Sequence, residues 1–325
     1  MTILVTGVAG FVGSFVAAAL LARGDEVIGL DNVNSYYDVA LKEARLTRLT
    51  SQPGFSFVKV DLADREAVFA ALAEANAGIT EVIHLAAQAG VRYSMIDPYA
   101  YVASNVMGHV VMLEAARRMP ALRHFVYASS SSVYGGNTSL PFRETDPVDL
   151  PVSLYAATKR ADELMGQAYS HLYGLPQTGL RFFTVYGPWG RPDMAYYSFA
   201  RAIVAGTPIT LYDGGQLKRD FTYIDDIVQG ILGCLPHPPA AGECARLLNI
   251  GNHRAEKVAT LVRLLEEGLG RCAVVQDTPR PVADVEETFA DISAIRSLAG
   301  FEPRTTLAEG IPRFVSWFRD WHKVN

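Results

Sequence analysis

The sequence predicts a doubly wound α/β protein, a parallel sheet covered on both faces by helices, joined to a smaller α/β part. Two observations carry this. Short apolar, β-rich runs alternate with helical stretches through the first half of the chain. A glycine turn, Gly7-Val-Ala-Gly10-Phe-Val-Gly13, lies where the first run gives way to the first helix. Strands that are apolar on both faces, each followed by a helix, belong to parallel sheets buried between helix layers.

Ile3–Thr6 is an unbroken apolar run and reads as a strand, and Gly13–Arg23 is an apolar core helix. Glu26–Leu30 is the second strand, and Ala40–Leu49 the second helix. Phe55–Lys59 and Arg65–Ala75 repeat the unit, as do Glu81–Leu85 and Asn105–Arg118. Phe125–Ser129, the helix Ser153–Leu172 and the strand Gln177–Phe183 complete the series. After about Gly187 prolines and glycines become frequent. Short strands at Ile209–Tyr212 and Arg246–Ile250 remain, with helices at Val258–Leu269 and from Leu307 to Trp321. Residues 1–187 are therefore expected to form a nucleotide-binding domain. Residues 188–325 mainly form a ligand-holding part, with a return segment near 220–250.

Composition narrows the function classes. The chain has 325 residues, half of them hydrophobic, enough for a large core. Its net charge of −5 comes without a basic block, which gives no sign of nucleic-acid binding. The apolar N-terminal stretch is broken by glycines and reaches Arg23 and Asp25 before a span of about 20 apolar residues, so no membrane segment is expected. The three cysteines, Cys234, Cys244 and Cys272, lie far apart. That is neither a zinc spacing nor a disulfide framework, and a reducing cytoplasm is the expected setting, with no metal.

The glycine turn lets the backbone approach a pyrophosphate closely, and the helix N-terminus after it offers N–H groups at Phe11, Val12 and Gly13. Alone, such a turn is equally a tight βα connection. Three other strand ends agree with a Rossmann-like nucleotide site. Asp31, beside Asn32, ends the second strand, where a carboxylate accepts hydrogen bonds from a ribose and repels a 2′-phosphate, favouring NAD. Asp61 and Leu62 end the third strand at the adenine position. Leu85, Ala86 and Ala87 leave room for ribose and pyrophosphate, while His84 reads as a packed structural histidine.

Tyr155 and Lys159 are four residues apart at a helix start, on one face. A free tyrosine, with a pKa of about 10, is a poor base at neutral pH, and a nearby ammonium favours its phenolate. Such a pair can take a proton from a hydroxyl as hydride leaves the adjoining carbon. Tyrosine and lysine also fall at this spacing by accident on many helices. The run Ser129–Ser132 ends a strand at the sheet's carboxyl edge, where ligands of such sheets bind.

Together these residues resemble the extended short-chain dehydrogenase/reductase family. The match runs through Thr6–Gly13, Asp31-Asn32, Asp61-Leu62, Leu85–Ala87, Ser129–Gly135, Tyr155–Lys159 and Arg219–Asp226. Within it the chain is similar to the nucleotide-sugar epimerases, above all UDP-glucuronate 4-epimerases, through Asp31–Asp38 and Gly190–Ala195. The resemblance implies Tyr155 as base, Lys159 as its electrostatic partner and nicotinamide-ribose ligand, and Ser130 as the catalytic hydroxyl. It implies substrate contacts from Arg92, Thr184, Arg219 and Asp284. Where relatives carry Pro-Gly-Asp, this chain has Arg280-Pro-Val-Ala-Asp284, with alanine in place of glycine. It also implies a homodimer through the helices around Asn105–Arg118 and Ser153–Leu172.

The implied reaction inverts C4 of a UDP-sugar through a 4-keto intermediate, with NAD regenerated each turnover. For a glucuronate that ketone lies β to the C5 carboxylate and invites loss of CO2. A planar guanidinium opposes this by holding the carboxylate, and Arg191 in Gly187–Phe199 is assigned that role, helped by Thr184. Without the resemblance Arg191 reads as an exposed turn arginine, and Met194 to Phe199 as helix packing. UDP-glucuronate decarboxylases, UDP-glucose/galactose 4-epimerases and a non-catalytic NAD sensor are the alternative readings.

Overall fold

The computed structural model describes residues 1–240, 242–243, 245–280 and 286–324. In chain order the first half comprises β1 (Thr2–Thr6), α1 (Phe11–Ala22), β2 (Glu26–Asp31), α2 (Val39–Thr50), β3 (Phe55–Lys59) and α3 (Arg65–Leu72). It continues with β4 (Ile79–His84), α4 (Pro98–Tyr101), α5 (Gly108–Ala116), β5 (His124–Ser130), α6 (Leu154–Tyr173) and β6 (Gln177–Phe182). The second half holds β7 (Thr184–Tyr186), α7 (Ala195–Ala205), β8 (Pro208–Tyr212), β9 (Lys218–Tyr223), α8 (Ile224–Cys234) and β10 (Arg246–Ile250). It ends with β11 (Ala255–Lys257), α9 (Val258–Leu269), β12 (Val274–Thr278), β13 (Glu287–Thr288), α10 (Ser293–Ala299) and α11 (Leu307–His322).

The main sheet is parallel, with strand order β10-β6-β5-β4-β1-β2-β3. From β1 the chain winds outward through β2 and β3, then crosses to β4 and winds the other way. The order therefore reverses between β1 and β4, and a crevice opens there at the carboxyl ends of the strands. The apolar strands account for the burial: Ile3, Leu4, Val5, Val82, Ile83, Phe125 and Val126 have no exposed surface. Each such side chain contributes about 1.5–3 kcal/mol relative to an exposed one. Helix α1 is apolar all round because it lies between the sheet and α8.

The structure departs from the sequence reading in two places. The expected helix Asn105–Arg118 is regular only from Gly108 to Ala116, because a wide π turn, Val102–Met107, precedes it. Asn105 sits in that turn. Its amide donates to the Gln88 carbonyl and the Thr158 hydroxyl, both at 3.0 Å, and its Oδ1 accepts the Gln88 N–H at 2.7 Å. Beyond Gly187 the chain is more regular than its prolines and glycines suggest. In α8, Gly230 is no helix breaker: a Cβ there would lie 2.7 Å from Ile250 and 3.0 Å from Phe301, so close packing dictates glycine. β10 completes the main sheet beside β6, while β9 pairs with β7, β11 and β13 in a smaller one.

Asp220, in β9, joins the two sheets. Its carboxylate accepts the N–H of Asn252 (2.6 Å), His253 (3.1 Å) and Ala290 (3.1 Å) and the hydroxyl of Thr222 (3.1 Å). Burial outweighs these bonds and pushes its pKa from 3.8 up to about 6. The protonated acid is thus favoured by folding. That contribution is complete below about pH 4 and is lost as pH rises through about 6. Asp220→Asn removes the slope. Its stability deficit against the wild type should be smaller at pH 7 than at pH 4, by up to about 3 kcal/mol in urea unfolding.

Candidate active site

A cleft of about 660 Å³ opens at the switch point and is lined from β1, β2, β4, β5 and the start of α6. Its floor is the glycine turn. Gly7 has φ +72°, and a Cβ on it would lie 2.7 Å from the Ala86 nitrogen. A Cβ on Gly13 would lie 2.1 Å from the Gly7 carbonyl oxygen. Both glycines are therefore required by the chain's own packing, which also brings the backbone against the cleft. Gly10 is the N-cap of α1 with no side-chain cap and no acidic residue in the first turn. Gly10, Phe11, Val12 and Gly13 all line the cleft, so a helix N-terminus with its positive dipole end faces it.

Asp31, Asn32, Asp61, Leu62, Leu85, Ala86 and Ala87 share this wall. Asp31 accepts the N–H groups of Ala9 (3.0 Å) and Val33 (2.8 Å), which hold its carboxylate at the end of β2. Burial raises its pKa, opposed by those bonds and by Lys42 and Arg45. Lys42 lines the cleft too, and its ammonium donates to the Asn34 carbonyl (2.8 Å) and Oδ1 (2.7 Å). Asn32 donates to Asp61 at 3.0 Å, coupling the ends of β2 and β3. His84 is buried, bonded to the Thr6 hydroxyl at 2.7 Å, and burial holds its pKa down at about 3. It packs as a neutral structural histidine.

On the opposite wall Ser153 caps α6 by accepting the Ala156 N–H at 3.1 Å, which fixes the turn carrying Tyr155. Lys159 is buried and donates to the Ala128 carbonyl (2.9 Å) and to Asp162 (3.0 Å). Asp162 has no signal in the sequence. Burial pushes its carboxyl up to about 6, opposed by Lys159. Tyr155 packs edge-on against Tyr101 with ring centres 6.0 Å apart. All four serines line the cleft, but the Ser129 hydroxyl is committed to Glu163, donating at 2.6 Å beside the buried Glu163–Arg181 pair. Ser130 lines the cleft and donates to the Ser132 hydroxyl at 3.1 Å. Tyr155, Lys159 and Ser130 thus all line the one cleft.

Arg191 lines the same cleft instead of pointing into solvent. Its Nε and Nη2 donate to Asp193, at 3.1 and 2.5 Å, and the Tyr36 hydroxyl donates to Asp193 at 3.2 Å. Asp193 outweighs burial and keeps the guanidinium firmly charged. It takes the Nε–Nη2 edge, and Nη1 takes part in neither bond. The motif Gly190–Ala195 holds this clue, since Asp193 lies two residues on, but the sequence alone gives it no role.

A second cavity of about 530 Å³ adjoins the first, sharing Arg92, Thr184, Asp193 and Met194. Arg219 lines it and donates to the carbonyls of Lys218 (2.8 Å) and Glu286 (3.3 Å). Met194, Ala195, Ser198 and Phe199 form part of its wall, and Met194 and Phe199 also pack against the core, as expected for this helix. The buried tyrosines Tyr196 and Tyr197 do pack inward, and α7 therefore has one face for each task. Arg280 is exposed and pairs with Asp213 at 3.7 Å, next to Tyr212 of the second cavity's wall. Asp284 lies outside the described residues.

Residues 3–251 match the NAD dependent epimerase/dehydratase family. The chain belongs to that family. UDP-glucuronate 4-epimerase 1 of Arabidopsis thaliana is 48% identical over all of this chain and 78% of its own. A probable UDP-glucuronate 4-epimerase of Rhizobium meliloti is 44% identical over 98% of this chain and 97% of its own. The crystal structure of UDP-glucuronic acid 4-epimerase from Bacillus cereus, in complex with UDP-glucuronic acid and NAD, superposes with a TM-score of 0.88. It is 31% identical and covers 99% of this chain and 100% of its own. The cleft fits NAD: a glycine turn, an uncapped helix N-terminus, a carboxylate at the end of β2 and small residues after β4.

Gly7→Ala places a methyl group against backbone that has no room to move. It should abolish NAD retention through purification, read from the absorbance of released cofactor, and cost about 1–3 kcal/mol in urea unfolding.

Proposed function

We propose that this chain interconverts UDP-glucuronate and UDP-galacturonate by inversion at C4. The observation that carries the reading is a single cleft lined by Tyr155, Lys159, Ser130 and Arg191. Those residues supply a base for a sugar hydroxyl and a cation for a sugar carboxylate. The named relatives agree with it.

NAD, when bound along Gly7–Gly13, Asp31 and Leu85–Ala87, supplies the acceptor for the C4 hydrogen and returns it. Tyr155 removes the O4 proton and later gives it back, with Ser130 bridging the same oxygen. Bonds to Ala128 and Asp162 hold the Lys159 ammonium in place in the same cleft. Arg219 and Arg92 anchor the diphosphate while the 4-keto sugar turns to present its other face. Arg191 holds the carboxylate so that the C5–C6 bond stays out of line with the ketone π system, which suppresses loss of CO2. Thr184, beside it, contacts the sugar.

The reading extends to assembly and setting. Tyr99, Val102, Met107, Leu164 and Leu172 are exposed apolar residues on the helical segment from Pro98 to Ala116 and on α6. They support a homodimer in which these segments pair. Cys234 is a buried free thiol and Cys272 an exposed one, which supports a reducing cytoplasmic setting.

Incubation with UDP-glucuronate, followed by NMR and mass spectrometry, should yield UDP-galacturonate of unchanged mass. Tyr155→Phe should lower kcat by about 10²–10⁴-fold with NAD still bound. A UDP-pentose as main product would replace this reading with decarboxylation. Turnover of UDP-galactose alone would remove the role given to Arg191.

A further inference from the structure

Arg45, in α2, contacts neither Tyr155 nor Arg191 through any of its hydrogen bonds, yet with Arg181 it is one of the two fully buried arginines among the described residues. Its guanidinium makes five hydrogen bonds to four oxygens. Nη1 donates to the Ala9 carbonyl (3.0 Å) and the Tyr37 hydroxyl (2.7 Å). Nε donates to the Trp189 carbonyl (3.1 Å), and Nη2 to the carbonyls of Trp189 (2.5 Å) and Gly190 (3.1 Å). Ala9 belongs to the glycine turn that faces the cofactor. Trp189 and Gly190 immediately precede Arg191.

The loop it holds is strained and tightly packed. Trp189 has φ +61°, a left-handed conformation that costs a bulky residue energy. A Cβ on Gly190 would lie 1.7 Å from the Tyr196 hydroxyl. Arg48, one turn further along α2, covers the Trp189 ring at 4.8 Å. That ring system also meets Trp317 and Trp321, each 5.4 Å away. One side chain thus spans the backbone under the cofactor and the backbone that aims Arg191.

We propose that Arg45 is a positioning residue that sets Arg191 relative to the cofactor turn and so keeps carboxylate loss low during epimerisation. This rests on the function proposed above. In the side reaction the C5–C6 bond of the 4-keto sugar breaks and CO2 leaves. The electron pair forms a C4–C5 enolate that is protonated at C5, giving a UDP-4-ketopentose. Whether this competes depends on how the carboxylate is held, and displacements of about 1 Å in positioning groups have large kinetic effects. Lysine has three donors on a point charge and cannot reproduce the five-bond fork. Replacement also leaves buried carbonyls unpaired.

The test uses NAD-loaded wild type, Arg45→Lys and Arg45→Met with UDP-glucuronate, and measures decarboxylated product per UDP-galacturonate by mass spectrometry. The decarboxylated fraction should rise at least about tenfold in Arg45→Met and less in Arg45→Lys. Tyr37→Phe, which removes one bond but none to the loop, should leave it near the wild-type level. An unchanged fraction in folded, NAD-loaded Arg45 variants would overturn the proposal. Should Arg45→Met not fold, Arg45→Lys, which keeps a buried cation but not the five-bond fork, carries the test alone, and an unchanged fraction there overturns the proposal. Absence of epimerisation by the wild type would instead sink the functional reading, so the two failures are distinguishable.

Discussion

Two strand ends approach so closely at the switch point that no side chain fits between them, and the site is built around that contact. The backbone of Gly7 packs on that of Leu85 and Ala86, and Gly13 packs on Gly7. With the turn pinned, α1 must start where it does, and its N–H groups must face the crevice. The Thr6–His84 hydrogen bond ties the same two strands one residue earlier. The geometry of the cofactor site is thus a consequence of how β1 meets β4, and glycine is needed there with or without a ligand.

Charge is then placed with unusual economy around this turn. Lys159 is neutralised by Asp162, Arg181 by Glu163 and Arg191 by Asp193, all at or near the cleft. For the two buried pairs, Lys159–Asp162 and Arg181–Glu163, removing one member costs about 3–5 kcal/mol; the partly exposed Arg191–Asp193 pair contributes less. These partners therefore fix side-chain positions as well as charges. Arg45 solves the same problem without a directly paired carboxylate, by meeting carbonyl and hydroxyl oxygens with all five donors. Its rigidity comes from geometry that lysine lacks.

Much of this is legible in the sequence. The strands of the first half and the glycine turn announce themselves because the parallel sheet demands apolar runs and the turn demands glycine. Strand-end residues such as Asp31 and Asp61 can be placed because their positions come from the alternation alone. The π turn at Asn105 is not legible, since its residues are as helical in character as those of α5, and its cause is a bond to Gln88 seventeen positions away. Asp162 reads as one more polar helix residue, because only the fold shows that it is buried. Arg45 carries no signal: its partners lie 36, 144 and 145 positions away as well as at Tyr37. Contacts of that range are set by topology, not by local pattern.

The Arg191–Asp193 pair bears on how a ligand is chosen. With its cation half-satisfied by its own neighbour, the loop presents little net field to the surrounding water, on a chain whose overall charge is −5. In the proposed reading, the pair's own contribution to long-range attraction of an anion is small, and recognition of an acid by Arg191 falls to short-range contact. Such a site discriminates after encounter, through the fit of a carboxylate to the remaining guanidinium edge. It also has less charge to shed when the product leaves, since Asp193 stays behind as counter-ion.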